Sequence, residues 1–285
     1  MSEVSVYQQW PAPAKLNLML RIIGRRADGY HLLQTVFQFI DRCDFLDFEI
    51  LKDSRIELKT PLAGVPPETD LTVRAARLLQ ESAGVRKGVR ISVHKRLPMG
   101  GGLGGGSSDA ATVLMVLNYF WEVGLTEETL IQLGVRLGAD VPVFIKGRSA
   151  WAEGVGETLT PLDLPQPWYV IVIPPCHVST REIFSDPDLT RNSNPVKIKN
   201  FLEGMEANDC LPVVRDKYPQ VKQALSELSQ FGNARLTGTG ACVFSAFPTK
   251  GQALEVKREM AKKWQAMVAQ GRNLSPLHEK LAQLR

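Results

Sequence analysis

Strand and helix patterns of hydrophobic residues alternate along the first half of the chain. Runs rich in leucine, isoleucine and valine predict strands over residues 16–23, 45–51, 55–60 and 89–94. Apolar residues at helical spacing predict helices over residues 73–83, 107–121 and 126–137. Gly84 is a suitable C-cap for the first helix, and Thr126 is placed to be the N-cap of the third. The polar segment 24–30 is predicted to be a loop.

The pattern changes after residue 156, where three prolines interrupt the chain. Beyond them we predict a strand over 168–173, a loop over 189–199, a helix over 221–228, a strand–glycine turn–strand over 236–247, a basic amphipathic helix over 253–264, and a strand over 265–269 that closes a sheet. Both halves mix strands and helices without a steady β–α–β rhythm, which favours the α+β class. We place a boundary near residue 160, giving domains 1–160 and 161–285.

The composition is that of an ordinary globular protein. A length of 285 residues suggests about two domains, and the chain is 44% hydrophobic and 22% charged. The formal net charge of +4 comes from basic residues spread along the chain, without a strong patch. An anionic small substrate fits this charge as well as a nucleic acid does. Aromatic and basic residues are not interleaved on one strand or helix, so a nucleic-acid-binding module is the weakest hypothesis.

The cysteines and apolar segments indicate a cytoplasmic address. None of the four cysteines has a partner at metal-ligand spacing, so we expect free thiols in a reducing compartment. Residues 1–10 lack the pattern of a secretory signal. The longest apolar stretch, residues 110–121, is too short to span a bilayer. We expect no membrane partner and a monomer or weak homodimer.

A glycine-rich run provides the strongest candidate for a binding site. Six of the seven residues 100–106 are glycine, and the run leads into the helix predicted over 107–121. Glycine lets the backbone turn at positive φ and approach a ligand closely, while helix N-terminal amides favour an anion. A flexible linker is the alternative, but the run stands between an apolar strand and an apolar helix. The sequence therefore predicts a phosphate-binding loop.

Better-known phosphate loops do not fit this run. Gly100, Gly102 and Gly105 satisfy the dinucleotide spacing, but the acidic residue about twenty positions on, Glu122, falls at a helix end rather than a strand end. The Walker loop needs a lysine after its second glycine, and none is present. The His-Arg-Asp and Asp-Phe-Gly motifs of protein kinases are also missing.

Three motifs together resemble the superfamily of galactokinase, homoserine kinase, mevalonate kinase and phosphomevalonate kinase. They are residues 98–108 (the glycine run), 13–18 and 236–242. The resemblance implies an ATP-dependent kinase with Mg²⁺ and a cleft between an N-terminal domain like ribosomal protein S5 and a C-terminal ferredoxin-like domain. It assigns ATP binding to Lys95, Pro98, Met99, Gly100, Gly101, Gly102, Leu103, Gly104, Gly105, Gly106, Ser107 and Ser108. Ser108 is the Mg²⁺ candidate, which is compatible with a helix-capping role, and Lys95 has a plain surface lysine as its alternative.

Two further segments resemble one branch of that superfamily. Residues 26–31 and 137–144 are similar to those of kinases that phosphorylate the 2-hydroxyl of a methylerythritol carrying a cytidine diphosphate group, in non-mevalonate isoprenoid biosynthesis. The resemblance thus implies a cytidine diphosphate compound as substrate. A superfamily relative acting on homoserine or mevalonate is the first alternative. A nucleotide-binding sensor without activity is the second, and the presence of both Lys15 and Asp140 counts against it.

Lys15 and Asp140 are the candidate catalytic residues. Asp140 follows a predicted helix among apolar residues, where a structural carboxylate is the alternative; the resemblance makes it the general base. On residue chemistry alone, Lys15 at a strand edge reaches water, whereas the resemblance makes it the partner that orients the acceptor hydroxyl. Asn17 lies two residues further along the strand and therefore faces the same side.

The remaining candidates would hold the acceptor substrate. The resemblance assigns the cytosine to Tyr30 and His31, for which packing in a turn is the alternative, and adds Thr180 and Phe184. Residues Gly238, Thr239 and Gly240 are expected to form a tight turn facing the phosphate loop, with a simple hairpin as the alternative. Asp70 stands where several relatives carry asparagine near the adenine, and a carboxylate cannot donate the same hydrogen bonds. No adenine contact is therefore assigned to it.

Overall fold

The computed structural model describes residues 6–27, 29–61 and 64–284. Asp28, within the segment 26–31, lies outside the described residues. The strands are β1 (Val6–Arg25), β2 (His31–Leu51), β3 (Ile56–Leu58), β4 (Gly88–His94), β5 (Ala150–Glu153), β6 (Thr158–Pro161), β7 (Trp168–Ile173), β8 (Arg235–Leu236), β9 (Val243–Phe247) and β10 (Gln265–Arg272). The helices are α1 (Leu71–Ala83), α2 (Gly105–Phe120), α3 (Glu127–Leu137), α4 (Val141–Lys146), α5 (Thr180–Ser185), α6 (Ile198–Leu202), α7 (Leu211–Lys217), α8 (Pro219–Leu228), α9 (Lys250–Met260) and α10 (Pro276–Ala282).

The strands form one sheet that runs through both halves of the chain. Its order is β3-β4-β2-β10-β7-β9-β8, with β1 and β5 also paired to β2 and β6 paired to β5. All pairs are antiparallel except β3 with β4. β10 pairs with β7 over six positions and with β2 at Gly271–Ile40 and Arg272–Phe39. This strand therefore joins the pairing network of the first half to that of the second.

The long β1–β2 hairpin forms the floor of the first half. The segment 10–20 of β1 is buried throughout, since helices cover it on one side and C-terminal segments on the other. Its register with β2 shifts between Pro13 and Lys15 and again between Asn17 and Met19. Such irregularities re-aim side chains, and here they bracket Lys15 and Asn17.

Helix α2, which continues from the glycine run, packs on this floor, and α1, α3 and α4 pack around α2. The Asp70 side chain caps α1 by accepting a hydrogen bond from Thr72 N, and Gly84 ends the helix in the left-handed conformation at φ 64°. The predicted helix 107–121 is α2, which is buried along most of its length against β1, β2 and α1. Thr126 caps α3 by accepting from Thr129 N, as predicted. The core of the first half lies between these helices and the sheet.

The α+β class is confirmed, with several differences in detail. The segment 31–40, for which no element was predicted, continues β2. The predicted loop 189–199 runs into α6, and the basic helix begins at Lys250 and ends at Met260 rather than spanning 253–264. The predicted last strand, 265–269, extends to Arg272 and lies inside the sheet. The boundary near residue 160 stays a prediction.

All four cysteine side chains are free thiols. Within residues 6–27, 29–61 and 64–284, no helix is both long and apolar enough to cross a membrane.

Candidate active site

Lys15 lies at the centre of the candidate site and is buried, with 2% of its surface exposed. Its Nζ donates to Asn17 Oδ1 at 2.5 Å and to Gly102 O at 3.2 Å, and it lies 3.1 Å from Asp140 Oδ2. A buried ammonium is stable only when it is paired and hydrogen-bonded, and these three oxygens provide that. The predicted strand geometry is confirmed, because Lys15 and Asn17 share one side of β1.

Asn17 is held in turn by a chain of buried hydrogen bonds. Its Nδ2 donates to Thr35 Oγ1 at 2.9 Å, and that hydroxyl donates to Met19 O at 2.5 Å. Its backbone N–H donates to Thr237 Oγ1 at 3.0 Å. The position of the Lys15 ammonium is therefore fixed from β2 and from the C-terminal half at once.

Asp140 reaches Lys15 from the connection between α3 and α4. It occupies the N-cap position of α4, yet its side chain caps no backbone N–H, and 35% of that side chain is exposed. The Asp140 carboxylate therefore contacts Lys15 and does not stabilise the start of α4. The alternative of a purely structural carboxylate has no hydrogen bond here to support it.

The glycine run has the backbone of a phosphate loop. Gly100, Gly102 and Gly104 have φ of 67°, 74° and 76°, a region that favours glycine, and α2 begins directly afterwards. A Cβ on Gly102 would lie 2.2 Å from Thr237 O, and a Cβ on Gly104 would lie 2.7 Å from Phe144 Cζ. Glycine is thus required both by conformation and by space, which the linker alternative does not explain.

The turn at residues 238–240 packs against this loop, as predicted. Ala241 N donates to Gly100 O at 3.1 Å, and Cys242 N donates to Gly101 O at 3.2 Å. Thr237 Oγ1 donates to Gly102 O at 3.1 Å, next to the Lys15 contact on the same oxygen. The simple-hairpin alternative therefore fails, because the turn also shapes the loop.

Two adjoining cavities meet at Asp140. The first, which we call the loop cavity, measures about 390 Å³ and is lined by residues 98–107 together with Asp70, Lys95 and Asp109. The second, the lysine cavity, measures about 280 Å³ and is lined by Lys15, Asn17, Phe184 and the 238–239 turn. Residues that line both are Gly102, Ser107, Asp140 and Thr180. A ligand in each cavity would face the other across the Asp140 carboxylate.

Lys95 is tied to two buried carboxylates that sequence reasoning missed. Its Nζ hydrogen-bonds Asp44 Oδ2 and lies 2.8 Å from Asp109 Oδ2. Burial opposes the charge on Lys95, but the two carboxylates outweigh it, and the pKa of Lys95 lies above its ordinary value. Burial also raises the pKa of Asp109 to about 7, against the influence of Lys95. The surface-lysine alternative is wrong, since the ammonium is largely enclosed.

Of the predicted base-binding residues, Phe184 lines the lysine cavity, and His31 packs against Phe184. Tyr30 is 61% exposed, and the rings of His31 and Phe184 lie with centroids 5.0 Å apart at 33°. Arg191 Nε donates to His31 Nε2 at 3.2 Å. Burial, then the charges of Arg191 and Arg25, lowers the pKa of His31. The His31–Phe184 pair provides an aromatic surface suited to a planar ligand, and the exposed ring of Tyr30 is the neighbour of His31 in the chain.

The other candidates fall into place around these features. Thr180 Oγ1 and Thr239 Oγ1 lie 2.9 Å apart, closing the lysine cavity between α5 and the glycine turn. No adenine contact was assigned to Asp70, and its carboxylate caps α1 by accepting hydrogen bonds from the Thr72 amide and hydroxyl. The carboxylate stands at the far wall of the loop cavity.

The structure thus brings together the candidate catalytic residues and the glycine loop, and it adds residues that were not among the predicted site residues. These are Thr35, Asp44, Asp109, Arg191 and Thr237. Thr237 lies within the motif 236–242, and Asp109 lies near the start of the helix predicted over 107–121; the other three carried no sequence signal.

Two family models match the chain. The model described as "GHMP kinases N terminal domain" matches residues 70–148, and the one described as "GHMP kinases C terminal" matches residues 196–266. Both spans contain site residues, including the glycine loop in the first and the 238–240 turn in the second.

Curated relatives are similar over nearly the whole chain. A protein of Methylococcus capsulatus named 4-diphosphocytidyl-2-C-methyl-D-erythritol kinase is 58% identical over 95% of this chain and 94% of its own length. A protein of the same name from Nitrosococcus oceani is 60% identical over 94% of this chain and 96% of its own. A third protein of that name, from Pseudomonas aeruginosa, is 57% identical over 99% of this chain and 100% of its own length.

Solved structures share the fold. A crystal structure of 4-(cytidine 5'-diphospho)-2C-methyl-D-erythritol kinase superimposes with a TM-score of 0.78 and 31% identity, covering 94% of this chain and 99% of its own. A homoserine kinase from Cytophaga hutchinsonii superimposes with a TM-score of 0.67 over 96% of this chain and 97% of its own. At 13% sequence identity, this similarity concerns the fold alone.

Proposed function

Because the chain belongs to the GHMP kinases, among the 4-diphosphocytidyl-2-C-methyl-D-erythritol kinases, we propose how its own residues carry out that reaction. It is an ATP-dependent kinase of isoprenoid precursor biosynthesis. The proposal assigns ATP to the loop cavity and the cytidine diphosphate substrate to the lysine cavity. The observation that carries it is the Lys15–Asp140 contact of 3.1 Å at the wall between the two cavities.

Asp140 is the general base in this proposal. The 2-hydroxyl of the acceptor lies between Asp140 and the γ-phosphorus of ATP, and the hydroxyl proton passes to the carboxylate as the oxygen–phosphorus bond forms. The bond from the γ-phosphorus to the bridging oxygen breaks, and ADP leaves. Lys15 contacts the Asp140 carboxylate at 3.1 Å and orients the hydroxyl, and Asn17 holds the ammonium in place through the 2.5 Å bond.

The loop backbone and the start of α2 hold the triphosphate. The N–H groups of residues 100–106, with the positive end of α2, offer an anion several donors in a fixed arrangement. Lys95 lies in the wall of the loop cavity, where its positive charge is already paired with the carboxylates of Asp44 and Asp109. ATP therefore meets mainly backbone donors, together with the hydroxyls of Ser107 and Ser108.

The residues present also fit a magnesium ion. Ser108 Oγ is buried without a hydrogen-bond partner, and so is Asp109 Oδ1 on the next residue. Buried polar atoms need partners, and oxygen ligands are those that Mg²⁺ prefers. In the described parts of the chain, no cluster of three or more His, Cys, Asp or Glu side chains could hold a metal by itself. We therefore assign Mg²⁺ to Ser108 together with the phosphates, where the ion would neutralise charge on the transferred group.

The nucleobase end of the acceptor is assigned to Tyr30, His31 and Phe184. Aromatic rings stack on a pyrimidine, and an imidazole can hydrogen-bond its edge. Thr180, Gly238 and Thr239 line the lysine cavity beside Asp140, where the diphosphate would lie, and Gly240 completes their turn. A monomer or weak homodimer stays a prediction.

A coupled ADP-release assay tests the substrate assignment. With Mg-ATP, we expect turnover with 4-diphosphocytidyl-2-C-methyl-D-erythritol and none with homoserine, mevalonate or galactose. Turnover with one of those three alone would retain the kinase assignment and overturn the roles given to Tyr30 and His31.

Replacement of Asp140 by Asn tests the base. A positioned general base contributes about 10²–10⁴-fold, so kcat should fall by about that factor while calorimetric ATP binding stays near the wild-type value. The matched control is Asp216→Asn, which changes a carboxylate that is 75% exposed on α7 and should leave kcat unchanged. Full activity in Asp140→Asn would remove Asp140 from the mechanism.

A further inference from the structure

Arg191 makes an unusual set of contacts beside the acceptor site. Its Nη2 donates to Phe184 O at 3.1 Å and to Asp186 O at 2.5 Å, and its Nη1 donates to Leu189 O at 3.1 Å. Its Nε donates to His31 Nε2 at 3.2 Å. One guanidinium thus ties the last turn of α5 and the segment after it to a histidine at the start of β2.

These contacts dictate the protonation of His31. A guanidinium only donates hydrogen bonds, so Nε2 of His31 must present its lone pair to Arg191. In a neutral imidazole the proton then resides on Nδ1. A protonated ring is disfavoured as well, because both nitrogens would carry hydrogen and a positive charge would face the guanidinium.

We propose that Arg191 is a positioning residue for the acceptor site, which fixes His31 as a neutral imidazole with its proton on Nδ1, a hydrogen-bond donor for the pyrimidine of the substrate. The acceptor atoms available on cytosine are the ring nitrogen N3 and the carbonyl oxygen O2. This inference rests on the proposed function, in which His31 contacts the base. Burial and the charge of Arg191 support it, since both lower the pKa of His31.

The same guanidinium positions the second half of the base site. Phe184 lies in the last turn of α5, and a cation at a helix C-terminus satisfies carbonyls that lack intrahelical partners. Because Arg191 bonds both Phe184 O and His31 Nε2, it sets the 5.0 Å separation of the two rings. The donor and the stacking surface are thereby held in one arrangement before the substrate arrives.

Nitrogen-15 NMR of the imidazoles tests the tautomer directly. The chain has four histidines, and a His31→Asn variant identifies the His31 signals. In the labelled wild-type protein at neutral pH we expect Nδ1 protonated and Nε2 unprotonated. The reverse tautomer, or a charged ring, would overturn the proposal, and this measurement needs neither a variant of Arg191 nor a turnover assay.

Kinetics of Arg191→Met test the consequence for the substrate. Loss of a charge-assisted hydrogen bond should raise KM for the cytidine substrate about tenfold or more and return His31 to a mixture of tautomers, with KM for ATP unchanged. Arg215→Met, which changes an exposed arginine on α7, is the matched control and should leave both KM values as in the wild type. Unchanged KM and tautomer in Arg191→Met would overturn the proposal. If the wild type itself fails to use the cytidine substrate, the proposed function fails, whereas the NMR result still decides whether Arg191 sets the tautomer.

Discussion

Replacement of Gly102 by Ala should damage both the stability and the activity of the enzyme. Gly102 has φ of 74°, and a Cβ there would lie 2.2 Å from Thr237 O and 3.1 Å from Gly240 O. Both obstacles are backbone atoms, which no side-chain rotation can move aside. The phosphate loop would therefore have to separate from the 238–240 turn.

The cost follows from two sources. A side chain in the left-handed region costs about 1–2 kcal/mol, and forcing an extra methyl into a packed site costs typically about 1–3 kcal/mol. Together these give about 2–5 kcal/mol, a large part of the ~5–15 kcal/mol that stabilises a typical domain. Activity should fall as well, because Gly102 O also accepts the 3.2 Å bond from Lys15 Nζ, and a displaced loop would release the ammonium.

Urea unfolding and ADP release, measured on the same variants, check this reasoning. Gly106→Ala is the matched control, since it adds the same methyl within the same run but in the first turn of α2, where the nearest atom, Leu71 Cδ1, lies 3.6 Å away. It should be as stable as the wild type or up to ~1 kcal/mol more stable. If Gly102→Ala unfolds at the same urea concentration as Gly106→Ala, the close packing of loop and turn is refuted.

Two further predictions concern the supports of the site. The hydrogen bond from the Lys217 ammonium holds the pKa of Asp186 below its ordinary value. The pair therefore stabilises the folded protein above the unfolded-state pKa of Asp186, and this stabilisation is lost as pH falls through the lower, folded-state pKa. The wild-type advantage over Lys217→Met in urea midpoint should therefore shrink on acidification, and an advantage independent of pH would count against the pair. Thr35→Val leaves the buried Asn17 amide without its acceptor, which should cost about 1–3 kcal/mol and lower kcat through the Lys15 contact; wild-type unfolding and kinetics would contradict this.

Local pattern was sufficient to predict much of the fold. Helix α1 could be read from its spacing and from Gly84, and α3 from its spacing and Thr126, because caps and amphipathic faces are properties of neighbouring residues. The strand over 168–173 was predicted with its observed bounds for the same reason. The glycine loop was also local, since its conformational freedom and the helix after it lie in one short segment.

The missing parts depend on contacts between distant residues. Arg191 contacts His31 although 160 residues separate them in the chain, and Asp44 contacts Lys95 because β2 and β4 are paired. No spacing rule connects such residues. Helix α6, at the edge of a polar segment, lacks the periodicity that would reveal it. The roles of Lys15 and Asp140 came from resemblance rather than from residue chemistry, and those roles stay predictions.

The position of β10 has a consequence for how the protein is made on the ribosome. Residues 265–272 complete the sheet by pairing with β7 on one side and with the first hairpin on the other. Until they leave the exit tunnel, the edges of β2 and β7 that they cover stay open, and open edges invite association with other chains. Because its partner residues were synthesised long before, this step also closes contacts of very large sequence separation, which slows folding. The sheet that joins the two halves of the protein is therefore complete only after residues 265–272 have been synthesised.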